Sequence, residues 1–191
     1  MAGSRERQAR GGLYRLLARL WLREIDATLL RSLGTGTMGK AFLEVGGLLP
    51  AEITGETVES LAIDYCQLFL GPARHLPPYQ SVWQSGQFAG EAVRSVQEFA
   101  DVARYNAALV VPGVMVDHLG VQLDLMGHVL QGSAGGDAEM EAADAYTEAF
   151  YSAHLTWPVP LFKAARERAK SDFYRSLVSL TGEFLQSEAA Q

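Results

Sequence analysis

Leu119-Gly120-Val121-Gln122-Leu123-Asp124-Leu125-Met126-Gly127-His128-Val129-Leu130 is the stretch on which the fold turns. At helical spacing, Leu119, Leu123, Met126 and Leu130 form one apolar face, and Val121, Leu125 and Val129 form a second. A helix that is apolar on two sides packs neighbours against both, so this segment is expected at the centre of a helical bundle. On its N-terminal side, past Pro112-Gly113, residues Val93, Val96, Phe99, Ala100 and Ala103 mark another helix. Before that lies GPARHLPPYQSVWQSG (71–86), the least regular part of the chain, with three prolines and two bulky aromatics. An amphipathic helix carrying Val58, Leu61, Ala62, Tyr65, Leu68 and Phe69 must stop at Gly71-Pro72, because proline disfavours helical geometry in the residue before it. A short helix is expected over Met38–Val45, between Gly34, Gly36 and Gly39 on one side and Gly46, Gly47 and Pro50 on the other. Leu13, Leu16, Leu17, Leu20 and Trp21 form the apolar face of the first helix.

On the C-terminal side, Gly132 to Gly136 reads as a flexible connection. Asp137 is placed to cap a helix that runs to about His154 and buries Met140, Ala143, Phe150 and Leu155. Trp157-Pro158-Val159-Pro160 is a rigid break, Leu161 and Phe162 sit on a short helix, and Phe173, Leu177, Leu180 and Phe184 repeat along the last one. No segment alternates as a strand would. The expected fold is an all-α bundle, a single compact domain over residues 1–191 with a candidate hinge at 71–87.

Composition fits a folded domain: 48% of the 191 residues are hydrophobic and 20% are charged. Cys66 is the one cysteine, so no internal disulfide can form; beside Tyr65 and Phe69 it is expected to be buried and inert. No apolar run reaches the ~20 residues that span a bilayer, and Arg15 and Arg19 interrupt the leucine-rich stretch that a secretory signal would need intact. The net charge is −6, unevenly spread: residues 1–31 hold seven arginines against Glu6, Glu24 and Asp26. Between Tyr105 and Phe162 there is no Lys or Arg, but there are Asp117, Asp124, Asp137, Glu139, Glu141, Asp144 and Glu148. Such a region repels nucleic acid and attracts cations or basic peptides; as a plain solvated face it would serve only solubility.

Two motifs stand out. In Pro77-Pro78-Tyr79-Gln80-Ser81-Val82-Trp83 the prolines stiffen the backbone, and Tyr79 and Trp83 offer apolar area with a polar tip. That suits peptide recognition, and it equally suits aromatics that plug a core. Asp117-His118 starts a helix, where a carboxylate is favoured as a cap; on the same face as Gln122 and Leu125 the pair could also hold donors of a bound peptide. Asp124 and His128 have an i, i+4 spacing, but the Glu-x-x-His of helical metal sites is missing, so no metal and no cofactor is expected. His75 and His154 are lone histidines and read as structural. A Gly-x-Ser-x-Gly elbow and a complete phosphate loop ending in Gly-Lys-Ser/Thr are both lacking. Gly34, Gly36 and Gly39 have a tempting spacing, but no strand precedes them. No catalytic residue is assigned.

Three pieces together resemble the TorD/DmsD/NarJ-like family of redox-enzyme maturation chaperones. Asp64-Tyr65-Cys66-Gln67-Leu68-Phe69-Leu70-Gly71-Pro72, followed by Pro77-Pro78-Tyr79-Gln80-Ser81-Val82-Trp83, is similar to the family's Tyr-x-x-Leu-Phe-x-Gly-Pro and Pro-Pro-Tyr-x-Ser-Val signature. Asp117 to Met126 resembles its Asp-His-x-x-x-Glu-Leu-x-Phe-Met helix, with Gln122 in place of Glu and Leu125 in place of Phe. The ending, from Phe150 through His154, Leu155 and Trp157-Pro158 to Phe173-Tyr174 and Phe184-Leu185, is similar too. The resemblance covers roughly residues 55–185. It implies an all-α cytoplasmic protein that is not an enzyme. Such a protein binds the twin-arginine leader, or the N-terminal region, of a molybdopterin oxidoreductase catalytic subunit until the enzyme's cofactor is inserted. It places peptide binding at Tyr79, Ser81, Trp83, Asp117, His118 and Gln122, supported by Gly71, Pro72, Pro77 and Pro78. Neither nucleic acid nor stable membrane insertion is implied. The competing readings are a helical enzyme or weak guanine-nucleotide binder, a ferritin-like metal bundle, and a membrane-surface protein using the basic first helix.

Overall fold

The structure, a computed structural model, describes residues 2–133 and 136–189. It contains ten α-helices: α1 (Ala2–Leu22), α2 (Ala27–Thr35), α3 (Thr37–Glu44), α4 (Gly55–Tyr65), α5 (Gln80–Ser85), α6 (Glu91–Val102), α7 (Leu119–Gly132), α8 (Asp137–His154), α9 (Val159–Arg168) and α10 (Asp172–Glu188). A π-helical turn, Cys66–Leu70, extends α4, and a 3-10 turn spans Ala107–Leu109. No strand occurs among the described residues; a single antiparallel bridge joins Tyr79 to His118. The fold is all-α, as the periodicity requires.

The chain forms two compact units, one made of α1 and α5–α8, the other of α2–α4, α9 and α10. In the first unit α7 is central: Leu119, Val121, Leu123, Leu125, Met126 and Leu130 are all buried. Helix α1 lies antiparallel along it, burying Tyr14, Leu16, Leu17, Ala18, Leu20 and Trp21. The face that could have met a membrane is thus spent on the core. Two glycines allow the close approach. A Cβ at position 127 would fall 2.9 Å from the Gly11 carbonyl oxygen, and one at position 120 would fall 3.1 Å from that of Ala18. Arg7 of α1 reaches Asp144 of α8 at 2.6 Å.

In the second unit an aromatic cluster of Phe42, Tyr65, Phe69, Phe173 and Tyr174 forms much of the core. Asp64, 3% exposed, holds the start of α10: its carboxylate accepts from the Ser171 N–H (2.8 Å), the Ser171 hydroxyl (2.7 Å) and the Lys170 N–H (3.2 Å). Burial pushes the Tyr174 hydroxyl's pKa well up.

Several local expectations change. Cys66 is exposed, because the buried stripe runs through Leu61, Asp64, Tyr65, Leu68 and Phe69 and leaves position 66 on the opposite side. Asp137 is the first residue of α8 rather than its cap, which is Gly136. Part of the flexible connection expected over Gly132–Gly136 falls at 134–135, outside the described residues. The glycines at 34, 36 and 39 form no phosphate cradle: Gly36 alone separates α2 from α3, and α2, capped by Asp26, is an amphipathic helix that buries Leu30 and Leu33 and is not among the expected elements. The irregular 71–86 segment contains α5.

Candidate functional site

Pro78-Tyr79-Gln80 runs antiparallel against Asp117-His118-Leu119. The Leu119 N–H donates to the Pro78 carbonyl (2.8 Å) and the Gln80 N–H donates to the Asp117 carbonyl (3.0 Å). This pairing unites the two sequence motifs at the starts of α5 and α7, and it packs the Tyr79 ring edge-on against the His118 ring at 4.9 Å. Tyr79 also meets Phe88 edge-on at 5.4 Å. Trp83 follows Tyr79 by one helical turn and is partly exposed.

The cap roles are reversed from the simplest expectation. His118, not Asp117, caps α7: its Nδ1 accepts from the Gly120 N–H at 2.9 Å. Asp117, fully buried, turns to α5 instead, and its Oδ2 accepts from the Ser81 hydroxyl (2.6 Å) and the Ser81 N–H (3.0 Å). A carboxylate suits that place, since the first turn of a helix presents unpaired N–H groups. The Ser81 hydroxyl in turn accepts from the Gly90 N–H at 3.2 Å. Asp117 Oδ1 is buried without a hydrogen-bond partner. Burial lowers the His118 pKa to about 3, so its ring is neutral at ordinary pH and can accept at Nδ1. Burial, helped by the Asp117 charge, raises that of Tyr79.

Gln122, also fully buried, belongs to a second network that the sequence reading did not assemble. Its Oε1 accepts from the Trp157 indole at 2.9 Å, and its Nε2 donates to Gln80 Oε1 at 2.7 Å. Gln80 Oε1 also faces His154 Nδ1 at 2.9 Å, and His154 Nε2 faces the Ser95 hydroxyl at 3.0 Å. Every proton in this chain follows from one end. Indole N–H is donor-only, so Gln122 must present its oxygen to Trp157 and its amide nitrogen to Gln80. Gln80 then presents oxygen, His154 carries its proton on Nδ1, and Ser95 donates to Nε2. Ser95, His154 and Gln80 have the connectivity of nucleophile, base and orienting group. Burial, however, lowers the His154 pKa to about 4, which makes it a weak base at neutral pH; the chain fastens α5, α6, α7 and the end of α8 together. His154, read as structural, is so used, whereas the roles of Gln80 and Trp157 were not legible because their partners are far away in sequence. The lone histidine of α8 was the one signal.

Five of the six expected site residues, Tyr79, Ser81, Asp117, His118 and Gln122, are thus linked, and Trp83 adjoins Tyr79. Ser81, Asp117, His118 and Gln122 are buried. Gly71, Pro72 and Pro77 fall in the second unit, after the π-helical turn, and Pro78 opens the bridge to α7. Asp124 and His128 are engaged apart from each other: Asp124 accepts from the Tyr105 hydroxyl at 2.8 Å and lies 3.6 Å from Arg15, while His128 meets the Ala103 carbonyl at 3.2 Å. Among the described residues no group of three or more His, Cys, Asp or Glu side chains could hold a metal ion, and no helix is long and apolar enough to cross a membrane.

Residues 30–164 match the nitrate reductase delta subunit family. Chaperone protein TorD of Shewanella oneidensis is 26% identical over 191 residues, covering 91% of this chain and 85% of that protein. Chaperone protein TorD of Shewanella sp. strain ANA-3 is 26% identical over 201 residues, covering 96% and 93%. That of Shewanella pealeana is 26% identical over 206 residues, covering 95% and 89%.

Proposed function

This chain belongs to the nitrate reductase delta subunit family, and on that premise we propose that it is a cytoplasmic, non-catalytic maturation chaperone for a molybdopterin oxidoreductase. It binds the twin-arginine leader or the N-terminal region of the catalytic subunit and holds it until the cofactor is inserted and the enzyme is exported or assembled. The observation that carries this reading is the likeness to TorD chaperones along more than nine-tenths of the chain. The binding surface is the meeting of α5 with the start of α7: Tyr79 and Trp83 supply contact area, and Ser81, Asp117, His118 and Gln122 hold it in shape. Gly71, Pro72, Pro77 and Pro78 lead the chain into it. Of the carboxylates between Tyr105 and Phe162, the exposed Asp137, Glu139, Glu141 and Glu148 of α8 attract the arginine pair; Asp117 and Asp124 are buried and Asp144 is paired with Arg7.

Titration calorimetry tests this with a synthetic peptide carrying an Arg-Arg pair followed by a leucine-alanine run. Binding is expected, and a Tyr79→Ala/Trp83→Ala double variant is expected to bind at least about tenfold more weakly while keeping its helicity. A scrambled peptide that binds equally well, or a double variant that binds normally, would remove the site from this surface.

A further inference from the structure

Four of the residues at this site are buried, so they cannot supply much contact area to a ligand. Phe88, which belongs to neither motif, is 55% exposed and lies edge-on to Tyr79 at 5.4 Å. An exposed phenylalanine held beside a second aromatic leaves most of one ring free for an apolar side chain. Its presentation is built. Gly86 (φ 73°) and Ala89 (φ 59°) are both left-handed, so the turn between α5 and α6 is tightly specified, and a left-handed alanine is strained. Gly90 then packs onto Ser81, where a Cβ would lie 3.2 Å from both Ser81 Cβ and Oγ, and its N–H bonds the Ser81 hydroxyl. That hydroxyl donates to the buried Asp117. An unbroken relay, Asp117–Ser81–Gly90, therefore fastens the turn that displays Phe88.

We propose that Phe88 is a contact residue for the client peptide, forming with Tyr79 an aromatic seat for an aliphatic side chain of the leader's apolar run, and that Asp117 and Ser81 are positioning residues that hold the seat through the Gly90 N–H. The proposal rests on the leader-binding reading above and names the part of the peptide that this surface takes.

The test is calorimetric, with the same Arg-Arg, leucine-alanine peptide and two altered versions, one with the arginines changed to glutamine and one with the leucines changed to serine. Phe88→Ala is expected to weaken binding of the parent peptide about tenfold or more, Phe88→Leu by less, with melting temperatures close to the parent protein's. The loss is expected to disappear with the leucine-to-serine peptide and to persist with the arginine-to-glutamine peptide. Ser81→Ala is expected to weaken binding in the parent background and to add nothing in the Phe88→Ala background, a non-additivity that mere destabilisation would not produce. If Tyr79→Ala weakens binding and Phe88→Ala does not, the seat is overturned and the leader-binding reading stands. If neither weakens it, both the seat and the placement of leader binding at Tyr79 fail; if the parent peptide does not bind the unaltered protein at all, the leader-binding reading itself fails. Coupling of Phe88 to the arginines instead of the leucines overturns the apolar seat, and additive Ser81 and Phe88 effects overturn the positioning role.

Discussion

At the scale of residues, His118 and Gln122 carry the sharpest consequences. An unperturbed histidine titrates near 6.5, whereas burial brings His118 to about 3 and His154 to about 4 in the folded protein. Between those values the unfolded chain binds protons that the native chain refuses. The stability from these sites is therefore complete above about pH 6.5 and is lost as the pH falls from there toward 3–4, by at most about 1.4 kcal/mol per unit for each histidine. Melting temperatures between pH 7.5 and 4.5 should show the decline. Asn at position 118 can still accept from the Gly120 N–H and cannot be protonated, so His118→Asn should make it shallower and leave the share that belongs to His154. Identical slopes in the two proteins would refute this account of His118. At position 122 the direction of the hydrogen-bond chain decides. A carboxylate there still accepts from Trp157 but faces Gln80 Oε1 with another acceptor; turning the Gln80 amide over would set its oxygen against the Ala153 carbonyl, to which its Nε2 donates now at 3.2 Å. Gln122→Glu should cost about 1–3 kcal/mol in urea unfolding at neutral pH. The gap should narrow in acid, where a protonated Glu can donate to Gln80.

At the scale of elements, the α1–α7 contact tests how glycine is used. Alanine in place of glycine inside a helix gains about 1 kcal/mol of propensity. At Gly127 the new Cβ would press on the Gly11 carbonyl oxygen at 2.9 Å and the Arg15 backbone nitrogen at 3.3 Å, neither of which can swing away. Overpacking of this kind costs about 1–3 kcal/mol. Gly127→Ala should therefore be neutral to destabilising despite its better propensity. Gly34 lies in α2 with nothing within 4 Å of its Cβ position, so Gly34→Ala should stabilise by about 0.5–1 kcal/mol. Denaturant midpoints that move the same way in both variants would contradict the close-approach explanation.

At the scale of the whole molecule, the proposed binding of a leader predicts that charge and apolar contact act together. The net charge of −6 and the exposed carboxylates Asp137, Glu139, Glu141 and Glu148 should draw in a basic leader, and exposed charge pairs are screened by salt. Contact with Tyr79, Trp83 and Phe88 is insensitive to moderate salt. Leader affinity should consequently fall with added salt without vanishing, and changing the arginine pair to glutamine should cost less than changing the following leucines to serine. Calorimetry at low and moderate salt measures both. An arginine change that abolishes binding while the leucine change is silent would make the acidic surface, not the aromatic one, the primary site.

What could be read from the chain alone is what helical periodicity and short motifs encode. The two apolar faces of Leu119–Leu130 announced the central helix, because burial of a helix face is a property of neighbouring residues. The stop at Gly71-Pro72 marked a real boundary, whereas the break expected over Trp157-Pro160 ends at Pro158, with Val159 and Pro160 already in the first turn of α9, where a proline is tolerated. The Pro-Pro-Tyr and Asp-His motifs marked the segments that meet. Which polar groups pair was decided only by tertiary structure. Asp117 looked like the cap of its own helix and instead bonds Ser81, 36 residues away; Gln122 finds Gln80 and Trp157, 42 and 35 residues away. Cys66, expected to be buried, lies exposed, while Asp64 two residues before it is buried and bonds Ser171, and Phe88 gained its place from a left-handed turn that no motif records. Apolar groups need only an interior, which a local pattern can specify. A buried donor or acceptor needs one particular partner at hydrogen-bond distance, and that is settled only when helices distant in sequence have packed.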